Sequence, residues 1–195
     1  MSTSLFFVVY LLLLTTGTLQ EADVHLLKEI NLHRATGLDG AFLLITDLAE
    51  PIAFAIPLVL AAIGFLRKDA ALKRVAFYIG SAILSTGIIV TIVKYSVTRP
   101  RPFLTYTGIQ NVVAETGYSF PSGHTSFAFA LAMAVSLWSR KWYTALLAFA
   151  WAFMVAFSRL DLGLHYPTDV ASAALIGSLS AFICYLLVYR RQAKV

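Results

Sequence analysis

Two short stretches of this chain hold residue types that could do chemistry together. In His165-Tyr166-Pro167-Thr168-Asp169, Pro167 biases Tyr166 away from the α region and itself suits the first position of a helix. Asp169 then falls near the third helical position, where a carboxylate can reach back past the cap. An imidazole N–H donated by His165 to that carboxylate would fix the tautomer and leave the other ring nitrogen free to attack. A histidine nucleophile requires that arrangement. In Phe120-Pro121-Ser122-Gly123-His124-Thr125, Ser122 is expected at the N-cap of a helix. First-turn N–H groups have no intrahelical partners, and the helix dipole favours negative charge there. Gly123 lets an anion approach the backbone closely. The stretch is an anion cradle with His124 at its edge.

The elements that must position these residues are membrane spans. Of the 195 residues, 59% are hydrophobic and 13% charged, against roughly 25% charged in a soluble domain. A hydrocarbon core of roughly 30 Å needs about 20 helical residues. Stretches of that character run from Ser4 to Leu19, Leu48 to Leu66, Val75 to Val93, His124 to Leu137, Trp142 to Phe157 and Thr168 to Tyr189. The expected fold is therefore all-α, a six-transmembrane-helix bundle forming a single domain over residues 1–195. The first stretch has neither a basic n-region nor a small-x-small cleavage site, so a retained helix is expected over a signal peptide. Between the first two spans, Glu21 to Arg34 mixes Val24, Leu27, Ile30 and Leu32 with Asp23, Lys28 and Glu29. That pattern predicts a short amphipathic helix at the interface. The single cysteine, Cys184, has no partner in the chain and is expected as a packing residue.

Basic residues in short loops set orientation. Arg67, Lys68, Lys73 and Arg74 follow the second span, Arg140 and Lys141 the fourth, and Arg190, Arg191 and Lys194 the sixth. Alternating helices bring all three clusters to one side, predicted to be cytoplasmic with both termini. A net charge of +5 sorted in this way excludes a nucleic-acid binder. Counted from those clusters, Lys94, His124, Arg159 and Asp169 each lie about one hydrocarbon thickness away, on four different helices. Arg101 and His165 adjoin them. The result is a ring of cations and imidazoles with only Asp161 and Asp169 close in sequence, costly unless an anion sits among them. Phosphate is the natural candidate. Two histidines and an aspartate could in isolation form a metal facial triad, but three neighbouring cations would repel a divalent ion, and no metal or cofactor is expected.

In order along the chain stand Lys94, six residues, then Arg101-Pro102; Pro121-Ser122-Gly123-His124; and Ser158-Arg159, five residues, then His165, three residues, then Asp169. This resembles the three-part signature of the type 2 phosphatidic acid phosphatase superfamily, which includes bacterial lipid phosphatases, glucose-6-phosphatase and vanadium haloperoxidases. The resemblance implies that His165 is the nucleophile forming a phosphohistidine and that Asp169 orients it. His124 would protonate the leaving oxygen and later activate water. Lys94, Arg101 and Arg159 would bind phosphoryl oxygens, with Ser122 and the Gly123 N–H completing the cradle.

It also implies a lipid phosphomonoester or pyrophosphate as substrate: undecaprenyl pyrophosphate, phosphatidylglycerol phosphate, phosphatidate or a lipid A phosphate. The setting would be a bacterial inner membrane with the site on the outer face. A lipid-to-lipid phosphotransferase using the same site and a non-catalytic lipid transporter are the rival readings. Uncharged span interiors argue against transport, because transporters place ionisable residues near the midplane. Outside the signature, Arg99 is expected as an interfacial anchor, Asp47 and Glu50 as solvated helix-end residues, and His25 and His33 as surface residues. Phe120, Trp138, Trp142, Tyr143 and Tyr166 suit an aromatic belt, with Tyr166 a candidate substrate contact. Asp161 receives no role, and nothing in the sequence bears on oligomeric state.

Overall fold

A computed structural model describes residues 17–189. Most of the expected first span and the terminal cluster Arg190, Arg191 and Lys194 lie outside the described residues. Within them all regular structure is helical: α1 (Gly17–Leu32), a 3-10 turn (Thr36–Leu38), α2 (Asp39–Asp47), α3 (Ala49–Leu66), α4 (Ala70–Val97), the short α5 (Pro102–Thr105), α6 (Gly123–Ser139), α7 (Trp142–Asp161) and α8 (Pro167–Tyr189). Four stretches, Thr36–Leu66, Ala70–Thr105, Trp142–Asp161 and Pro167–Tyr189, are long and apolar enough to cross a membrane. Leu58, Phe65, Leu66, Phe77 and Leu147 stand exposed on the outer surface, as lipid-facing side chains would.

Helix α6 has 17 residues, about 25 Å at 1.5 Å per residue, and occupies the centre of the bundle. It packs against α3, α4, α7 and α8. Small residues make that possible: Ala128, Ala130, Ala132 and Ala134 on α6 and Ala173, Gly177 and Ala181 on α8 are buried. A Cβ added at Gly177 would run into the Ser126 carbonyl and the Ala130 amide. The two backbones thus meet directly, as small residues allow between helices in lipid.

Side-chain contacts identify the two ends of the bundle. At one end, Arg140 at the C-cap of α6 bonds Tyr185 of α8 at 2.9 Å, and Tyr78 of α4 packs on Tyr185 and Tyr189. The cluster Arg67 to Arg74 belongs to the same end, because α4 begins there. Asp69 caps that start, accepting from the Ala71 and Leu72 amides at 2.9 and 3.0 Å. At the other end α4 stops at Thr98, which takes a left-handed conformation (φ 49°). Pro100 and Pro102 follow and turn the chain across the mouth of the bundle.

The segment expected as an interfacial amphipathic helix is helical but docked. Its Asp23 and Asn31 are buried beside Leu27, and α1 packs on α7 and α8. Asn31 donates to the carbonyls of Gln110 and Asp161 at 2.9 and 2.8 Å and accepts from the Gln110 amide at 2.8 Å. It ties α1 to the 106–121 loop and to the end of α7.

Candidate active site

Helix α8 starts at Pro167, and Asp169 reaches back so that its Oδ2 accepts from the Tyr166 amide at 3.0 Å. The same oxygen lies 3.5 Å from Nδ1 of His165 and accepts from Ser119 Oγ at 2.5 Å. Ser119 Oγ is itself 3.4 Å from His165 Nδ1. On the opposite edge of the ring, Nε2 sits 3.4 Å from a guanidinium nitrogen of Arg101. A guanidinium can only donate, so Nε2 carries the lone pair and the proton belongs on Nδ1, facing Asp169. Burial, aided by the Arg159 and Arg101 cations and opposed by Asp169, pushes the His165 imidazole down to about 4. It is neutral at neutral pH.

The stretch between Arg159 and His165 depends on Gly163. There φ is +72°, and a Cβ would overlap the Gln110 carbonyl and crowd Asn31. The His165 amide donates back to the Arg159 carbonyl at 3.3 Å, which fixes the nucleophile candidate relative to the guanidinium six residues earlier.

Arg101 and Arg159 are both 2% exposed, so each must be partnered or be poised for an anion. Arg101 donates to the carbonyls of Gly117, Thr116 and Leu164 at 3.1, 3.0 and 3.2 Å. Arg159 donates to Thr46 Oγ1 at 3.0 Å, while its Nε is buried without a partner. Between them lies Glu115, whose Oε2 bonds Arg101 at 3.0 Å and also Arg159. Burial works against the Glu115 charge, but Arg159, His165, Arg101 and His124 together hold its carboxyl below the usual range.

The expectation that the cations lack matching carboxylates beyond Asp161 and Asp169 is therefore corrected. Glu115, from a loop without a readable pattern, supplies one. A second is Glu50: instead of being merely solvated, its Oε1 lies 3.6 Å from Nδ1 of His124.

Ser122 is the N-cap residue of α6 as expected, yet its hydroxyl caps nothing and is buried without a partner. Lys94 and Gly123 share the lining of a cleft of about 610 Å³ with Glu50. Lys94 is within electrostatic reach of Arg101, Glu115, Glu50 and Asp169. All eight residues singled out from the sequence thus come to one end of the bundle. The closest grouping is His165, Asp169, Arg101 and Arg159, with Lys94 and Gly123 on the adjoining cleft and His124 within electrostatic reach of Arg159, His165 and Lys94. Among the described residues, no three His, Cys, Asp or Glu side chains converge as metal ligands would.

Two further expectations need correcting. Arg99 is no interfacial anchor: it is 8% exposed and bridges Asp169 Oδ1 at 2.5 Å and Asp23 Oδ2 at 2.6 Å. Tyr166 turns from the cleft into the cluster of Val24, Leu27 and Ile109, and its ring supports Arg99, 3.7 Å from the centroid. Phe120 is also buried, whereas Trp138, Trp142 and Tyr143 are exposed as belt residues would be. Ser119, Thr46 and Glu115 had no signal in the sequence, because only the assembled helices bring them to the arginines and to Asp169.

Fold and site together define a helical membrane protein with a histidine–aspartate pair set among guanidinium groups. The sequence model of the PAP2 superfamily matches residues 75–193, and this chain belongs to that superfamily. It is 34% identical over 79 residues to the lipid A 4'-phosphatase of Bacteroides thetaiotaomicron, covering 40% of this chain and 35% of that protein. To the undecaprenyl-diphosphatase BcrC of Bacillus subtilis it is 31% identical over 157 residues, covering 78% of this chain and 76% of that one. The chain thus spans about a third of the first relative and three quarters of the second. Its fold matches the crystal structure of a transmembrane PAP2 type phosphatidylglycerolphosphate phosphatase from Bacillus subtilis with a TM-score of 0.81 at 23% identity, over 98% of this chain and 96% of that one.

Proposed function

We propose that this chain is a metal-independent lipid phosphatase that removes a terminal phosphate from a lipid phosphomonoester or pyrophosphate through a phosphohistidine at His165. The observation that carries the reading is the orientation of His165: its Nε2 lone pair faces Arg101, and its Nδ1 proton faces Asp169. In the first step Nε2 attacks phosphorus, the bond to the leaving oxygen breaks, and His124 delivers a proton to that oxygen. The imidazolium left on His165 is stabilised by Asp169. Water, deprotonated by His124, then attacks phosphorus; the P–N bond breaks, phosphate leaves and His165 returns to its neutral form. Charge on the transferred group is met by Arg101, Arg159 and Lys94, with the Ser122 hydroxyl and Gly123 N–H at the cradle. Clamping of this kind is commonly the largest single contribution to such catalysis.

The lipid character of the substrate is supported by the cleft itself. From Lys94, Glu50 and Gly123 its walls continue along Phe54, Ile83, Leu84 and Ile88. It shares Phe54, Ile83 and Leu84 with an apolar hollow of about 460 Å³ lined also by Pro57, Leu58 and Phe65. A headgroup at the polar end would leave its chain between α3 and α4. The named substrates of the two relatives, lipid A and undecaprenyl diphosphate, are of that class. The reading includes six membrane crossings in one domain over residues 1–195, both termini cytoplasmic, and the site at the outer face of a bacterial inner membrane.

The test is a panel of lipid mono- and diphosphates assayed with detergent-solubilised protein, with and without EDTA. Expected are released phosphate unaffected by EDTA, a base-stable and acid-labile phosphoenzyme, and loss of both in His165→Ala. Full activity in His165→Ala would falsify the nucleophile. Label found on an acceptor lipid in place of free phosphate would turn the reading to a phosphotransferase.

A further inference from the structure

Behind the nucleophile lies a chain of ion pairs that the phosphatase reading does not use. Arg99 has one guanidinium nitrogen on Asp169 Oδ1 at 2.5 Å and the other on Asp23 Oδ2 at 2.6 Å. The first nitrogen also reaches Thr168 Oγ1 at 2.8 Å, and the second reaches Gln20 Oε1 at 2.6 Å. Asp23 in turn accepts from the Thr168 amide at 2.9 Å and from its hydroxyl at 2.5 Å. A carboxylate of α1 therefore caps the first turn of α8, the turn that carries Asp169, and shares one arginine with it. The Tyr166 ring closes the other side of the guanidinium. Asp23, Arg99 and Asp169 are 4%, 8% and 0% exposed. Three buried charges in a row are costly, and two hydrogen-bonded bridges are more than docking α1 requires, since Leu27 and Asn31 already dock it.

We propose that Arg99 and Asp23 are positioning residues for the nucleophile, holding the Asp169 carboxylate by its outer oxygen so that the inner oxygen is aimed at His165. The division of the Arg99 charge between Asp23 and Asp169 sets how strongly Asp169 attracts the imidazole proton. With Arg99 fully on Asp169, the carboxylate is a weaker partner for an imidazolium; with Arg99 removed, it is a stronger one. The other groups facing His165 are Arg101 ahead of α5, Glu115 and Ser119 of the loop, Arg159 of α7 and His124 of α6. Lys94 of α4 acts on Asp169. Among the described residues none of these touches Asp23, and the α1 carboxylate reaches Asp169 through Arg99 and Thr168.

The inference rests on the phosphohistidine reading, and its test separates the two. Full-length wild type, Arg99→Gln, Arg99→Lys, Asp23→Asn and His165→Ala are compared in detergent for kcat, KM and the pH profile of kcat on one lipid phosphate. Melting midpoints confirm that each variant is folded. In Arg99→Gln, kcat should fall about 10–100-fold, comparable to the loss of a group that orients a metal ligand. KM should stay within about threefold, because the lost contact is not to substrate.

The acid limb of the profile should move to higher pH in Arg99→Gln, since an uncompensated Asp169 stabilises the imidazolium or itself takes up a proton. It should move to lower pH in Asp23→Asn, where Arg99 is released to Asp169 alone. Arg99→Lys should recover part of the lost kcat. Limbs that coincide with wild type in folded Arg99→Gln and Asp23→Asn, or that shift in the same direction, overturn the relay. If Arg99→Gln does not fold, the limb of Asp23→Asn decides alone. A wild type that releases no phosphate, or an active His165→Ala, overturns the phosphatase reading and the relay with it, whereas failure of the relay leaves that reading standing.

Discussion

At the scale of single residues, Glu115 carries the sharpest consequence. Its carboxylate bonds both Arg101 and Arg159, the two guanidiniums proposed to take the phosphoryl oxygens, so substrate must displace it or share them. Charge-assisted bonds to arginine are strong and roughly twice as favourable as neutral ones. Glu115→Gln should therefore let a phosphoryl mimic compete more easily, lowering the vanadate concentration for half-inhibition by about tenfold, or ~1.4 kcal/mol. An unchanged or raised inhibition constant would show that Glu115 is not a competitor for the arginines. A second consequence concerns pH. The His165 imidazole is depressed from 6.5 to about 4, so between those values the unfolded chain binds more protons than the folded one. This contribution to stability is present above pH 6.5 and is lost as pH falls toward 4. Glu115, held below its ordinary range, adds a loss of the same sign below pH 4.5. The melting midpoint in detergent should fall over that interval, and the part between 6.5 and 4 should shrink in His165→Ala. Such residues divide by how they could be read. His165, Asp169 and His124 were legible because proline, serine and glycine around them announce helix starts. Arg99, Ser119, Thr46 and Glu115 were not, because their roles exist only across elements far apart in the chain.

At the scale of elements, the helices were legible to within a few residues wherever apolar runs and helix stops coincide. The third expected span, Val75 to Val93, lies inside the longer α4 (Ala70–Val97), because the Asp69 cap starts the helix ahead of Lys73 and Arg74, which interrupt the apolar run. Apolar content cannot announce such a turn. Close packing was equally silent: a glycine within an apolar run does not reveal which neighbour it touches. Gly177 allows α8 onto the backbone of α6, and Gly163 allows the turn before His165 to pass the Gln110 carbonyl. Gly177→Ala should cost about 1–3 kcal/mol from overpacking, seen as a lower melting midpoint. Gly163→Ala combines overlap with a positive φ, a strain of about 1–3 kcal/mol, and it displaces His165 from Arg159. The two variants should differ in kind. Gly163→Ala is expected to lose most of its kcat even in the fraction that stays folded, whereas folded Gly177→Ala keeps activity closer to wild type. Equal specific activities in the two folded fractions would contradict the positioning assigned to Gly163.

At the scale of the whole molecule, the arrangement is a separation of charge by function across the bundle. One end carries Arg67, Lys68, Lys73, Arg74, Arg140 and Lys141 in connections and first turns, largely facing outward. At the other end Arg99, Arg101 and Arg159 are drawn inward against Glu115, Asp23 and Asp169. Lysines and arginines in short loops hold a membrane protein's orientation, with the richer side facing the cytoplasm. The outward set should therefore face the cytoplasm and the buried set the opposite compartment. Labelling with a membrane-impermeant maleimide tests this directly, because Cys184 is the single cysteine and Cys184→Ser gives a clean background. Thr107→Cys lies on the exposed loop at the site end and Ala70→Cys at the exposed start of α4. In intact spheroplasts Thr107→Cys should label, while Ala70→Cys should label only after lysis. The reverse pattern would place the site in the cytoplasm, where it would meet lipid phosphates of the inner leaflet, and the outer-face assignment would have to be withdrawn.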